Sequence, residues 1–309
     1  MINVLFAARP ERWDTYEAPL RAAFADAGLE ATLSTDLPPA EVDYIVYAPN
    51  GPLTDFSPYT RAKGVLSLWA GVEKIVDNAS LTQPLTRMVD EGLAEGMVEW
   101  VTGHVLRYHL DMDQDIRRQD TDWQVHIPPL ARDRKVGILG LGELGMACTR
   151  ALAALNFDVA GWSRSPKSLN GIACHHGAEG LEAVLARSEI LVLLLPATPA
   201  TENTLNSRTL AQLPKGARIV NPGRGELIDD DALVAALNAG HIAHATLDVF
   251  RIEPLPRDHA YWAHPNVTVT PHIASETRPS TAAKVIAENV RRGEAGEAFL
   301  YLVDRNAGY

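Results

Sequence analysis

Val136-Gly137-Ile138-Leu139-Gly140-Leu141-Gly142-Glu143-Leu144-Gly145 reads as a buried strand, then a glycine-rich turn that opens into a helix over 144–155. Leu144, Met146, Ala147, Ala151, Leu152 and Leu155 supply that helix with apolar positions. Such a setting gives meaning to a G-x-G-x-x-G match, which is weak when it stands alone. Gly140 permits the tight turn, Gly142 lets backbone approach a pyrophosphate, and Gly145 lets the helix pack on the strand. The helix start offers unpaired N–H groups to phosphates. A dinucleotide site over Gly140, Leu141, Gly142, Glu143, Leu144 and Gly145 is therefore expected.

The end of the following strand, Asp158-Val159-Ala160-Gly161-Trp162, narrows the cofactor. An NAD-binding unit usually carries Asp or Glu there to hold the ribose 2′-OH. Here Ser163 stands at that place, followed by Arg164, Ser165, Pro166 and Lys167. No carboxylate repels a 2′-phosphate, while two cations and two hydroxyls suit one, Arg164 by a fork matched to phosphate oxygens. NADP(H) is expected in preference to NAD(H).

At 309 residues the chain is long enough for two domains. Its hydrophobic content of 46% and charged content of 22% are those of a globular protein. A net charge of -11 argues against general nucleic-acid or anionic-membrane binding. Cys148, in the helix after the glycine-rich turn, and Cys174, in a loop, form neither a disulfide framework nor a metal-ligand spacing. The start lacks the basic and apolar regions of a signal peptide, and the longest apolar run, Ile190 to Leu195, is too short to span a bilayer. A cytoplasmic location is expected, with no membrane or nucleic-acid partner.

Residues 1 to about 99 read as a smaller α/β unit. Strands at 2–7, 30–34, 44–48 and 65–68 alternate with helices at 12–27, 55–63 and 72–77, the rhythm of a parallel sheet. The turns after the third and fourth strands, Ala48-Pro49-Asn50-Gly51-Pro52 and Trp69-Ala70-Gly71-Val72, fall where ligands sit in open parallel sheets. Tyr47, Asn50, Trp69, Ala70 and Gly71 are the candidate substrate contacts there. A helix from Gly96 to Leu110 leads into a charged arm that ends at the nucleotide-binding strand. Beyond strand 158–162 come helix 180–187, strand 190–195, helix 207–212, strand 217–221, helix 230–239, strands 245–249 and 267–270, and helix 281–292. Six strands with their connections match the doubly wound dinucleotide fold.

The later strand ends carry the chemistry. One ends in Asn221-Pro222-Gly223-Arg224-Gly225, the next in Asp248-Val249-Phe250-Arg251-Ile252-Glu253, the last in Pro271-His272-Ile273. Arg224, Glu253 and His272 thus emerge on one edge of one sheet, the edge of the glycine-rich turn. Such a set suits reduction of a 2-oxo acid. A protonated His acts as general acid toward oxygen that gains charge, a neighbouring carboxylate favours and orients the imidazolium, and Arg clamps the substrate carboxylate. The backbone N–H groups of the 69–72 turn suit the other carboxylate oxygen. No metal is required.

Taken together these motifs resemble the D-2-hydroxyacid dehydrogenases, most closely the A type of glyoxylate/hydroxypyruvate reductase. The likeness runs through Trp69-Ala70-Gly71-Val72, Gly140 to Gly145, Trp162-Ser163-Arg164-Ser165, Leu194 to Pro199, Arg224-Gly225, Leu247 to Phe250 with Glu253 to Pro256, Thr270-Pro271-His272, and Val303-Asp304-Arg305 with Gly308-Tyr309. The resemblance implies two doubly wound parallel-sheet domains, a Rossmann-type cofactor domain and a smaller flavodoxin-like substrate domain. It implies a substrate domain over 1–99 completed by 282–309, a cofactor domain over 100–281, and a homodimer with an arm at about 96–133 in its interface. Arg224, Glu253 and His272 become the catalytic set, with Arg224 and His272 also binding substrate. Asp248 would hold the nicotinamide amide, with further cofactor contacts from Leu195, Pro196, Thr201, Pro222 and Gly223.

The expected reaction is NADPH-dependent reduction of small 2-oxo acids, glyoxylate and hydroxypyruvate, to 2-hydroxy acids. Trp69 stands where many relatives have a small residue, and the 48–64 segment is longer than usual. A bulkier 2-oxo acid such as phenylpyruvate is accordingly the nearer alternative. The more distant one is a non-enzymatic NADP(H)-sensing binding protein, since a relative of this fold serves as a corepressor.

Overall fold

The computed structural model describes residues 1–117, 123, 125–305 and 308. Arg118 to Asp122 and Gln124 of the arm, together with Asn306, Ala307 and Tyr309 of the terminal motif, lie outside the described residues. In chain order the elements are β1 (Ile2–Ala7), α1 (Pro10–Asp26), β2 (Ala31–Ser34), β3 (Tyr44–Tyr47), β4 (Gly64–Ser67), β5 (Leu85–Thr86), α2 (Glu91–His109) and α3 (Met112–Arg117). Then follow β6 (Lys135–Leu139), α4 (Glu143–Ala154), β7 (Asp158–Ser163), β8 (Ala173–His176), α5 (Gly177–Arg187), β9 (Ile190–Leu193), α6 (Ser207–Leu210) and β10 (Ala217–Asn221). The last are α7 (Asp230–Asn238), β11 (Ile242–Leu247), α8 (Ala260–Ala263), β12 (Val267–Val269) and α9 (Pro279–Ala295). They form two compact units, Met1–Leu93 with Glu276–Tyr309, and Ala94–Ser275. These breaks fall N-terminal to the divisions at 99/100 and 281/282 read from the sequence. No helix among the described residues is long and apolar enough to cross a membrane.

The first unit is a five-stranded parallel sheet in the order β2-β1-β3-β4-β5, the flavodoxin-like order. Every residue of Tyr44-Ile45-Val46-Tyr47 is buried, as a parallel strand covered on both faces requires. Alternation sends Val4, Phe6, Tyr44, Val46 and Leu66 into a core with α1 and with Ala282, Ala283, Ile286, Ala287 and Val290 of α9. Leu5, Ala7, Ile45, Tyr47 and Val65 enter the opposite core with Phe56, Val72, Ile75 and Leu81.

On that second face the helices expected at 55–63 and 72–77 are turns. Asp55 accepts the Ser57 N–H at 2.9 Å, and Pro58 follows. Side-chain bonding of this local kind competes with a helix ladder. After Val72 the turns stop at Asn78, whose side chain donates to the Thr54 carbonyl at 2.8 Å and accepts the Ser80 N–H at 2.9 Å. In α9, Pro279 opens the helix and Gly296, at φ 70°, closes it. Gly293 is required there, because a Cβ would stand 2.2 Å from the Tyr44 hydroxyl.

The second unit is a seven-stranded parallel sheet in the order β12-β11-β10-β9-β6-β7-β8. The chain leaves β6 toward β7 and β8 on one side and returns to β9 on the other. That reversal is the Rossmann switch point, where dinucleotides bind beyond the strand ends. β8 includes Cys174, expected in a loop, and pairs with β7 from Ala160↔Ala173 to Ser163↔His176. Ala173-Cys174-His175-His176 has neither β-branched residues nor an apolar pattern, so backbone pairing at a sheet edge makes this strand. α2 begins before the expected Gly96 because Asp90 caps it, accepting the Leu93 N–H at 3.1 Å.

Candidate active site

Two glycines of the second unit's turn are fixed by sterics, and the third leaves open space. Gly140 lies at φ 109°, donates its N–H to the Trp162 carbonyl at 2.8 Å, and would put a Cβ 2.4 Å from the Leu194 carbonyl oxygen. A Cβ on Gly145 would stand 1.7 Å from the Gly140 carbonyl oxygen. A Cβ on Gly142 would meet nothing within 4 Å, and no side chain caps α4. The helix start therefore faces open space with its N–H groups available, which fits a pyrophosphate. Glu143 is exposed in the first turn, and Leu144 is half-buried. The Leu141 side chain packs into the core beside Gly161, so Leu141 offers a ligand only its backbone.

At the end of β7 the Ser163 hydroxyl donates to the Ser165 carbonyl at 2.7 Å. It shapes the turn on which Arg164, Ser165 and Lys167 are exposed. Beyond β9, Leu195 is buried in the core. The Thr201 hydroxyl donates to the Pro196 carbonyl at 2.6 Å and accepts the Thr198 N–H at 2.9 Å, so Thr201 ties the 196–201 loop.

The strand ends bring Arg224, Glu253 and His272 onto one edge. Asn221, buried at the end of β10, accepts the Gly223 N–H at 3.1 Å and donates to the Arg224 carbonyl at 2.9 Å. It staples the Pro222-Gly223-Arg224 turn, a role the sequence reading missed. Its signal was an Asn directly before Pro-Gly at a strand end. Arg224 is half-buried and donates to the Gly223 carbonyl at 2.6 Å. A Cβ on Gly225 would fall 2.0 Å from the Phe250 carbonyl carbon, so only glycine lets this turn lie on the 250–251 loop.

Glu253 accepts the Phe250 N–H at 2.9 Å through Oε1 and His272 Nδ1 at 2.8 Å through Oε2. Burial pushes its carboxyl up, but hydrogen bonds from His272 and Phe250, with the charges of His272 and Arg224, outweigh burial and hold it below its ordinary value. His272 sits at φ 54°, its N–H bonded to the Asp248 carbonyl at 2.8 Å. The fully buried Asp248 carboxylate takes the Thr270 hydroxyl at 2.6 Å and the N–H groups of Ile273 at 2.9 Å and Ala274 at 2.8 Å. These bonds tie the 270–274 loop, which carries His272, to the end of β11.

In the first unit, Ser67 Oγ accepts the Trp69 N–H at 3.0 Å, and Met88 donates its N–H to the Trp69 carbonyl at 2.9 Å. Lys74 Nζ lies 5.9 Å from the centre of the Trp69 ring. Ala70 and Gly71 follow, half-buried, their N–H groups without a hydrogen-bond partner among the described residues. Asn50 is exposed, and its carbonyl accepts Arg9 Nε at 3.3 Å. Tyr47 is instead buried edge-on against Phe56, with ring centres 5.2 Å apart, and belongs to the core of its unit.

Comparison with known proteins bears on the family of the chain. Residues 102–274 match the family model for the D-isomer specific 2-hydroxyacid dehydrogenase NAD binding domain. The chain is 40% identical over 257 residues to glyoxylate/hydroxypyruvate reductase A of Serratia proteamaculans, covering 81% of this chain and 82% of that one. It is 41% identical over 255 residues to the protein of the same name from Yersinia enterocolitica, covering 80% and 82%. Among solved structures, a D-isomer specific 2-hydroxyacid dehydrogenase of Xanthobacter autotrophicus Py2, in complex with NADPH and MES, superposes with TM-score 0.92 at 42% identity over 100% of this chain and 99% of that one. The NADPH-dependent glyoxylate/hydroxypyruvate reductase of Sinorhizobium meliloti, in complex with NADP and sulfate, superposes with TM-score 0.86 at 34% identity, again over 100% and 99%. With its two sheet orders and its matched nucleotide-binding unit, the chain belongs to the D-isomer specific 2-hydroxyacid dehydrogenases, a family of oxidoreductases.

Proposed function

We propose that this dehydrogenase reduces small 2-oxo acids, glyoxylate and hydroxypyruvate, with NADPH, and that His272 is its general acid. The 2.8 Å pair between His272 Nδ1 and Glu253 carries the reading. It commits Nδ1 to the carboxylate, while Nε2 has no partner among the described residues. A bound nicotinamide supplies the hydride. The imidazolium gives its Nε2 proton to the oxygen that was the substrate carbonyl, and the neutral ring keeps Nδ1–H on Glu253. The Arg224 fork holds the substrate carboxylate and polarises the carbonyl.

Preference for NADPH rests on the β7 end, where Ser163 stands in place of a carboxylate and Arg164 and Lys167 are exposed. The two relatives of the name glyoxylate/hydroxypyruvate reductase A support the substrate class.

Steady-state oxidation of NADPH and NADH, each with glyoxylate, hydroxypyruvate and phenylpyruvate, tests the proposal. Turnover is expected to be fastest with NADPH and the two small acids. His272→Ala is expected to lower kcat by about 10²–10⁴-fold. Near wild-type turnover in that variant would remove His272 as the acid, and a preference for phenylpyruvate would move the substrate class to bulkier acids.

A further inference from the structure

β8, the strand hidden from sequence reading, sets a second residue beside the β7 end. In this parallel pair Ser163 is in register with His176 and Trp162 with His175. Neighbouring strands run about 4.8 Å apart, and paired residues of a parallel sheet project from the same face. The two faces can be assigned here. A Cβ on Gly180 of α5 would lie 3.1 Å from His175 Cβ and 3.5 Å from Trp162 Cδ1, so His175 and Trp162 face α5. A Cβ on Gly161 would meet the Leu141 side chain at 2.5 Å, so Gly161, and with it Ser163 and His176, face the glycine-rich turn. His176 is exposed, and its side chain does not cap α5.

We propose that His176 is a specificity-determining residue for the cofactor, adding a ring N–H donor to the 2′-phosphate cradle of Arg164, Ser165 and Lys167. The assignment rests on the NADPH reading above.

Isothermal titration calorimetry of NADP⁺ and NAD⁺ tests the assignment without turnover. The readout is the ratio of the two Kd values for the wild-type protein, His176→Ala, His176→Lys and His175→Gln. His176→Ala is expected to lose about threefold of the NADP⁺ preference. His176→Lys keeps the preference, and His175→Gln, on the other face, follows the wild type. A His176→Ala ratio that superposes on the wild type would overturn the assignment while leaving the NADPH reading intact. A wild-type protein with no preference would overturn both.

Discussion

Glu253 divides its two oxygens between different jobs: Oε1 locks its own loop through Phe250 N–H, and Oε2 holds His272 Nδ1. Both partners are donors, so an amide satisfies one and turns its NH₂ on the other. Glu253→Gln is therefore expected to lower kcat by about a hundredfold or more, with a smaller change in KM for the 2-oxo acid. Wild-type KM and kcat in stopped-flow and steady-state assays of that variant would contradict this. The carboxyl's value in the folded state lies below its ordinary 4.5. The folded state then binds fewer protons than the unfolded chain in the window below that value. The pair's contribution to stability is complete above pH 4.5 and is lost as pH falls through the lowered value. Thermal melts of the wild type should thus fall more steeply than those of Glu253→Gln as pH drops from about 5 to about 3. Asn221 and Asp248 show how the rest of the site is built, since each uses its side chain on backbone groups of the turns that carry Arg224 and His272.

At the scale of elements, the glycine-rich turn separates packing from binding. Gly145→Ala puts a methyl 1.7 Å from a carbonyl oxygen and is expected to lower Tm sharply. Gly142→Ala puts the methyl in open space at φ -77°, which alanine adopts freely. It is expected to keep the wild-type Tm while weakening NADPH binding about tenfold or more, measured by calorimetry. A Gly142→Ala protein that binds NADPH normally would show that the open space is not the cofactor's. The same turn was the most legible feature of the sequence, because strand, glycine spacing and helix each signal locally. Arg224, Glu253 and His272 were legible as strand-end residues for the same reason. β8 was not, since His175 and His176 carry no strand pattern and pair only because β7 lies alongside. The turns at 55–63 and 72–77 were also hidden, because Phe56, Val72 and Ile75 have the apolar spacing of helices while Asp55, Pro58 and Asn78 set the backbone. Asn221 was overlooked because a side chain that bonds only to its own turn leaves no spacing pattern.

For the whole molecule, the arm between α2 and β6 presents Ile116, Trp123, Val125, Ile127 and Leu130 to solvent, with Trp123 94% exposed. A run of large apolar side chains left outside a core is the mark of an interaction surface. We propose that it lies in the contact of a homodimer. Sedimentation velocity is expected to give the mass of two chains, and the double variant Trp123→Asp with Ile127→Asp that of one. A monomeric wild-type protein would overturn the proposal. The placement of α9 has a further consequence, for the order in which the molecule can be made. The second unit is one unbroken segment, Ala94–Ser275, whereas the first needs Glu276–Tyr309 to close the core on which α1 and β3 pack. During synthesis, therefore, the first unit to leave the ribosome is the last to be finished. Until α9 emerges, the core that Phe6, Tyr44, Val46 and Leu66 share with α1 lacks its second helix, and the apolar surface left open on the nascent chain is exposed to chaperones and to misassembly.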